Sequence, residues 1–229
     1  MKVAIHQPNF VPWLGFFYKL SLSDLFILLD NAQYTKNSFI NRNRIKTPQG
    51  VNWLTLPVIT SGKFGQMINE VTIKDFDRTK KVILNTLKMN YSKSKFFDLY
   101  ISDIELLVYN CINNLAQINI EFIIWICKVL EIDVKILKAS EIGVYNIEGT
   151  SRLVEICKRV GAHVYISGFG GNNYQEIELF EAENIQVVTY DFVHPTYQQL
   201  WGDFISNLSI LDLIFNCGPQ SKNILMNRI

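Results

Sequence analysis

Val3 to Gly15, V-A-I-H-Q-P-N-F-V-P-W-L-G, passes from apolar to polar to aromatic within thirteen residues. An apolar run of strand length ends at His6, and a polar turn, Gln7-Pro8-Asn9, follows it. An aromatic-rich helix then carries the chain to Ser23-Asp24, and Leu25 to Leu29 (L-F-I-L-L) again has strand character and ends in Asp30. Strand, short turn, helix and second strand make a βαβ unit, which implies a parallel sheet. Ligands of such sheets occupy the crevice beyond the carboxyl ends of the strands. His6 and Asp30 both fall at that edge and mark the centre of an expected site.

Outward from this unit the alternation resumes late in the chain. Val134–Leu137, 163–167 (H-V-Y-I-S) and Ile185–Tyr190 read as strands; Ser151–Val160, stopped by Gly161, and Tyr174–Glu183 read as helices between them. Strands alternating with helices predict a doubly wound, mostly parallel α/β sheet, nucleotidyltransferase- or Rossmann-like. The middle is helical by its apolar spacing: Phe76, Ile83, Leu87 and Tyr91 share one face, and Phe97, Tyr100, Ile104, Val108 and Cys111 another. Ile118–Leu130 is apolar nearly all round, so that helix is expected to be buried. Residues 1–75 and 132–229 are therefore expected to form the sheet domain, with 76–131 as a helical insertion packed on it. Asn31–Gly50 reads as a polar loop, followed by a strand at Val51–Val58 and a short one at 70–73.

Composition excludes some classes. The formal net charge of +1 over 229 residues argues against a dedicated nucleic-acid binder. The longest unbroken apolar run, Phe122–Cys127, falls far short of the ~20 residues that cross a bilayer. No cationic region followed by an apolar stretch opens the chain, and the four cysteines form no CxxC pair, so a cytoplasmic protein with buried free thiols is expected. Three dispersed histidines make no zinc set. Charge is unevenly spread, however. No acidic residue lies between Asp30 and Glu70, while Lys36, Arg42, Arg44, Lys46 and Lys63 all do. Five cations beside the expected site point to an anionic ligand. Asn41-Arg42-Asn43-Arg44 supplies many hydrogen-bond donors and little core value.

Three further turns carry candidate chemistry. The turn after His6 offers backbone N–H groups and a helix N-terminus, which suits an anion. His6 and Asn9 have the spacing of the first and last positions of the H-x-G-H phosphate-binding signature, with asparagine in place of the second histidine. A glycine-rich turn follows Ser167, beginning at Gly168, and glycines let backbone amides approach a phosphate closely. His194-Pro195-Thr196-Tyr197 follows the last strand and offers a restrained histidine as general base or substrate clamp.

The chain resembles the WbqC-like proteins. The likeness rests on I-H-Q-P-N-F-V-P-W-L-G-F-F-Y-K-L from Ile5, L-L-D-N-A-Q-Y-T-K-N-S-F-I-N-R-N-R-I-K-T from Leu28, and W-L-T-L-P-V from Trp53. Y-I-S-G, H-P-T-Y-Q-Q and N-L-S-I-L-D-L-I-F-N-C-G extend it through the C-terminal part. That resemblance implies a role in O-antigen or other surface-polysaccharide (lipopolysaccharide) biosynthesis, as a glycine transferase acting on a nucleotide sugar. It implies a site lined by His6, Gln7, Asn9, Asp30, Gln33, Lys36, Asn41, Arg42, Asn43 and Arg44. Ser167, Gly168, Tyr174, His194 and Tyr197 come from the C-terminal motifs. The reading that follows is a transferase joining a glycyl or similar acyl group to the amine of a nucleotide-linked amino sugar. His6 or His194 would be the base, Asp30 would orient it, and Arg42, Arg44 and Lys46 would hold the diphosphate. An ATP-dependent ligase forming an acyl-adenylate, with magnesium, is the second reading. A non-catalytic subunit that binds a nucleotide sugar is the third. No cofactor is required by the first.

Overall fold

The structure is a computed structural model and describes residues 1–168 and 175–227. In chain order the strands and α-helices run β1 (Lys2–His6), α1 (Leu14–Ser21), β2 (Leu25–Leu28), β3 (Arg42–Thr47) and β4 (Gly50–Thr55). There follow α2 (Phe76–Tyr91), α3 (Phe97–Asn110), α4 (Leu115–Val129), β5 (Lys135–Lys138), α5 (Ala139–Ile142) and α6 (Gly149–Arg159). The chain closes with β6 (Val164–Ser167), α7 (Ile177–Glu181), β7 (Gln186–Thr189), α8 (Ile210–Cys217) and α9 (Ser221–Leu225). No described helix is long and apolar enough to cross a membrane.

The chain divides into two units. The first comprises Met1–Gln7, Tyr18–Ala32 and Asp133–Val193. It holds a five-stranded sheet in the order β5-β2-β1-β6-β7, with every pair parallel. Counting only these strands, the order is 3-2-1-4-5, the doubly wound arrangement expected from the alternating pattern. Val3 and Ile5 alternate with Ala4 along β1, so the strand buries side chains on both faces. Val3, Ile5, Leu25, Ile27 and Tyr165 pack with Val154 and Cys157 of α6 and Phe180 of α7 into one apolar core. Gly161 takes φ +70° just past α6, the left-handed geometry that ends a helix without a Cβ penalty.

The second unit comprises Pro8–Phe17, Gln33–Ile132 and His194–Ile229. Helices α2 to α4 lie here as their apolar spacing requires, but together with α8, α9 and a β-hairpin, so the division does not follow residues 75/76 and 131/132. The hairpin pairs β3 with β4 in antiparallel register, Arg44 opposite Trp53 and Lys46 opposite Val51. It occupies part of the segment read from sequence as a loop. Its turn closes because the Thr47 hydroxyl donates to the Gly50 carbonyl at 2.9 Å while accepting from Gln49 N. In place of the short strand read at 70–73 stand a 3-10 turn at Ile68–Glu70 and a single bridge from Ile73 to Val58. Four free cysteines are present, three of them buried and Cys217 half-buried.

Candidate functional site

In the first unit, strand succession runs one way from β1 to β2 to β5 and the other way from β6 to β7. The reversal falls between β1 and β6, and ligands of open α/β sheets sit at the carboxyl ends flanking such a reversal. His6 ends β1 there, and Ser167 ends β6 with Gly168 just beyond it. These two expected positions are therefore brought to one place by adjacent strands. The buried Ser167 hydroxyl donates to Gln175 Oε1 at 2.7 Å, and Gln175 Nε2 donates to the Tyr165 hydroxyl at 3.2 Å. Gln175 is thus tied to the last residue of β6. Tyr174, which the resemblance placed in the site, lies outside the described residues.

His6 Nδ1 lies 2.9 Å from its neighbour's carbonyl, Gln7 O. A carbonyl only accepts, so the proton sits on Nδ1. Burial, and next the charge of Lys19, lower the His6 pKa to about 4, so the ring is neutral at pH 7. Lys19 itself is 3% exposed; its ammonium donates to the Ile5 carbonyl at 2.8 Å and lies 5.9 Å from the Tyr165 ring centroid. Burial lowers its pKa to about 7. No motif marks Lys19 in the sequence. Its only local signal is a lone cation inside F-F-Y-K-L, where every neighbour is aromatic or apolar.

Asp30 is buried, and its two oxygens accept from Ser140 N (2.9 Å) and Ser140 Oγ (2.6 Å), in the first turn of α5. Arg152 donates to the carbonyl and side chain of Asn31 and feels the Asp30 charge. The carboxylate expected to orient a histidine is thus engaged in holding α5 beside β2.

In the second unit, the loop after Gln7 is fixed by side-chain amides. Asn119 Nδ2 donates to Pro8 O (2.8 Å) and Ile40 O (2.7 Å). Asn43 Nδ2 donates to Val11 O (2.8 Å) and the Ser209 hydroxyl to the same carbonyl (2.8 Å). Asn9 is buried in that loop. Asn41 donates to Leu56 O. Both asparagines of the N-R-N-R run therefore hold backbone, because strand alternation turns them inward. Lys46 also departs from the expected phosphate role. It is 1% exposed, and its ammonium donates to Gln199 Oε1 (3.1 Å) and to the carbonyls of Gly202 and Asp203. Arg42 and Arg44 remain half-buried on the opposite alternation, with Nη2 on Asn37 O (2.7 Å) and Asn207 O (3.0 Å) respectively. Lys36 and Gln33 are exposed.

His194 belongs to this unit, whereas His6 belongs to the first. Its Nδ1 donates to Pro195 O (2.9 Å) and its Nε2 accepts from Asn207 N (3.1 Å). With both nitrogens engaged, the ring has no lone pair left to take a substrate proton, which corrects its expected role as a base. Tyr197, 8% exposed, lies against His194 and Phe204. Beneath it is a polar cluster that sequence spacing does not reveal. Tyr91 donates to Asp212 Oδ2 at 3.0 Å and accepts from Lys46 N at 3.0 Å. Asp212 is fully buried, and burial raises its pKa to about 6.

Comparison with known proteins agrees with the resemblance. An uncharacterized protein of Mycobacterium tuberculosis is 36% identical over 227 residues, which cover 98% of this chain and 97% of that protein. No solved structure matches. Residues 7–224 match the family described as WbqC-like, a span taking in the hairpin, the switch-point strand β6 and both histidine-bearing turns except His6 itself. The chain belongs to the WbqC-like protein family.

Proposed function

We propose that this protein is a cytoplasmic transferase that joins a glycyl or similar acyl group to the amine of a nucleotide-linked amino sugar, in surface-polysaccharide biosynthesis. One observation carries the reading: the parallel sheet reverses its strand order where His6 and Ser167-Gly168 stand. The amine nitrogen attacks the acyl carbonyl, a C–N bond forms, and the donor's leaving group departs with the bonding pair. The proton shed by the nitrogen needs an acceptor, and His6, an imidazole kept neutral at pH 7 by burial, stands at that edge for the task. The backbone amide of Gly168 would face the developing oxyanion. The test is to incubate the protein with nucleotide-linked amino sugars and activated acyl donors and to follow the amide product by mass spectrometry. Binding of a nucleotide sugar with no product under any donor would leave a non-catalytic binding subunit instead.

The same strand order serves ATP equally well, so an acyl-adenylate-forming ligase is the second reading. Product formation that requires ATP and magnesium and releases AMP with pyrophosphate would establish it over a transferase using a preactivated donor.

A further inference from the structure

The outer face of the hairpin, within the second unit, sets cations beside exposed aromatic rings. Arg44 and Trp53 are cross-strand partners, and Arg42 stands two residues before Arg44, so all three side chains share one face of the two-stranded sheet. The Arg42 guanidinium lies 4.3 Å from the Trp53 ring centroid. Phe39 follows at 5.9 Å from Trp53, and Trp13 at 5.4 Å from Phe39. Trp53 is 41% exposed and Phe39 37% exposed, so this aromatic row opens to solvent. Both guanidiniums are tethered through Nη2 to neutral carbonyls only, and their Nε atoms are buried without an acceptor. Among the described residues neither arginine forms a salt bridge. Two oriented but uncompensated cations bordering exposed ring faces match a ligand that joins anionic oxygens to a ring.

We propose that Trp53, Phe39, Arg42 and Arg44 form a subsite for a nucleoside diphosphate, the ring stacking on the aromatic row and the phosphates meeting the guanidiniums. Two arginines suit a diphosphate, whereas a nucleic-acid tract calls for a longer basic stripe, and the chain's net charge is only +1. The identity of this ligand as the carrier of a sugar rests on the reading of the preceding subsection; the ring-plus-phosphate recognition stands on the hairpin.

Calorimetric titration of the full chain with uridine, cytidine, guanosine and thymidine diphosphates, and with pyrophosphate as a ring-free probe, tests it. At least one nucleoside diphosphate is expected to bind roughly tenfold more tightly than pyrophosphate, the margin that one base-stacking contact provides. Trp53→Leu should erase that margin while leaving pyrophosphate affinity unchanged, and Trp53→Tyr should retain part of it. Arg44→Gln should weaken both ligands. The unchanged pyrophosphate affinity of Trp53→Leu reports that the variant is folded. Survival of the margin in Trp53→Leu overturns the subsite. So does the absence of nucleoside diphosphate binding at about 1 mM, or a single-stranded oligoribonucleotide binding more tightly than every diphosphate. These probes carry no amino sugar, so a missing amide product would sink the transferase and leave the subsite standing, and the reverse holds equally.

Discussion

The ammonium of Lys19 donates to the carbonyl of Ile5, 2.8 Å away, one residue before the histidine that ends β1. A buried cation therefore stands directly behind the switch-point edge of the sheet. Its amine has a pKa of about 7 in the fold against an ordinary 10.5. Between those values the unfolded chain binds more protons than the native one, so stability rises with pH across that window. Below about pH 7 both states are protonated and the full penalty of burying the charge remains. Relative to Lys19→Met, the wild type is expected to gain roughly 2–4 kcal/mol between pH 7 and pH 10, read from urea midpoints. His6 titrates near 4 in the fold and 6.5 outside it, so it stays silent in this range.

His6 and His194 should separate in a mutant pair. His6→Ala is expected to lower kcat on the order of a hundredfold, with little change in the denaturant midpoint. His194→Ala strands the amide of exposed Asn207 and the carbonyl of buried Pro195, and should cost about 1–2 kcal/mol of stability. Its turnover per folded molecule should stay near that of the wild type. Amide-product assays on both purified variants decide it.

Tyr91 links the backbone of Lys46 to the carboxylate of Asp212. Tyr91→Phe leaves a buried N–H without its acceptor and a buried carboxylate without its donor, which should cost about 3 kcal/mol. Asp212 has its pKa raised to about 6 by burial, and loss of the donor raises it further. The native state then binds extra protons relative to the unfolded chain up to a higher pH, so the destabilisation should be larger at pH 7.5 than at pH 5. Denaturant titrations at the two values check the sign.

Gly218 ends α8 at φ +53° and ψ −128°. A Cβ built there meets the Phe96 ring at 2.4, 2.5 and 2.8 Å, and a ring in that position has no flexible end to move aside. Gly218→Ala should therefore cost about 3 kcal/mol or more. Gly62→Ala, also at positive φ but with nothing within 4 Å, should cost only about 1 kcal/mol. Thermal melts of the two variants side by side separate steric clash from backbone strain.

Much of the first unit was legible along the chain. V-A-I-H and L-F-I-L-L announce strands because parallel strands bury both faces and so read as continuous apolar runs. His6 and Ser167 fall at the carboxyl rim because each is the last residue of such a run. The hairpin's second strand was read, but its first escaped because R-N-R-I-K-T is mostly cations and amides with Ile45 its one large apolar residue; it is a strand only through its pairing with G-V-N-W-L-T. The site residues divide in the same manner. Residue type told correctly that Arg42 and Arg44 are cations in an acid-free stretch, but it could not show that Lys46, two residues on, folds inward onto the carbonyls of Gly202 and Asp203.

From its sequence alone, then, the protein's strand and helix alternation, its parallel sheet and its family are determined, since periodicity and motif are properties of neighbouring residues. Which side chains are desolvated, which lysines are buried and which partners the His194 ring meets follow from folding alone. Those outcomes depend on desolvation and on acceptors supplied from elsewhere in the chain: Asn207 for His194, Gln199 for Lys46, and for Lys19 the carbonyl of Ile5.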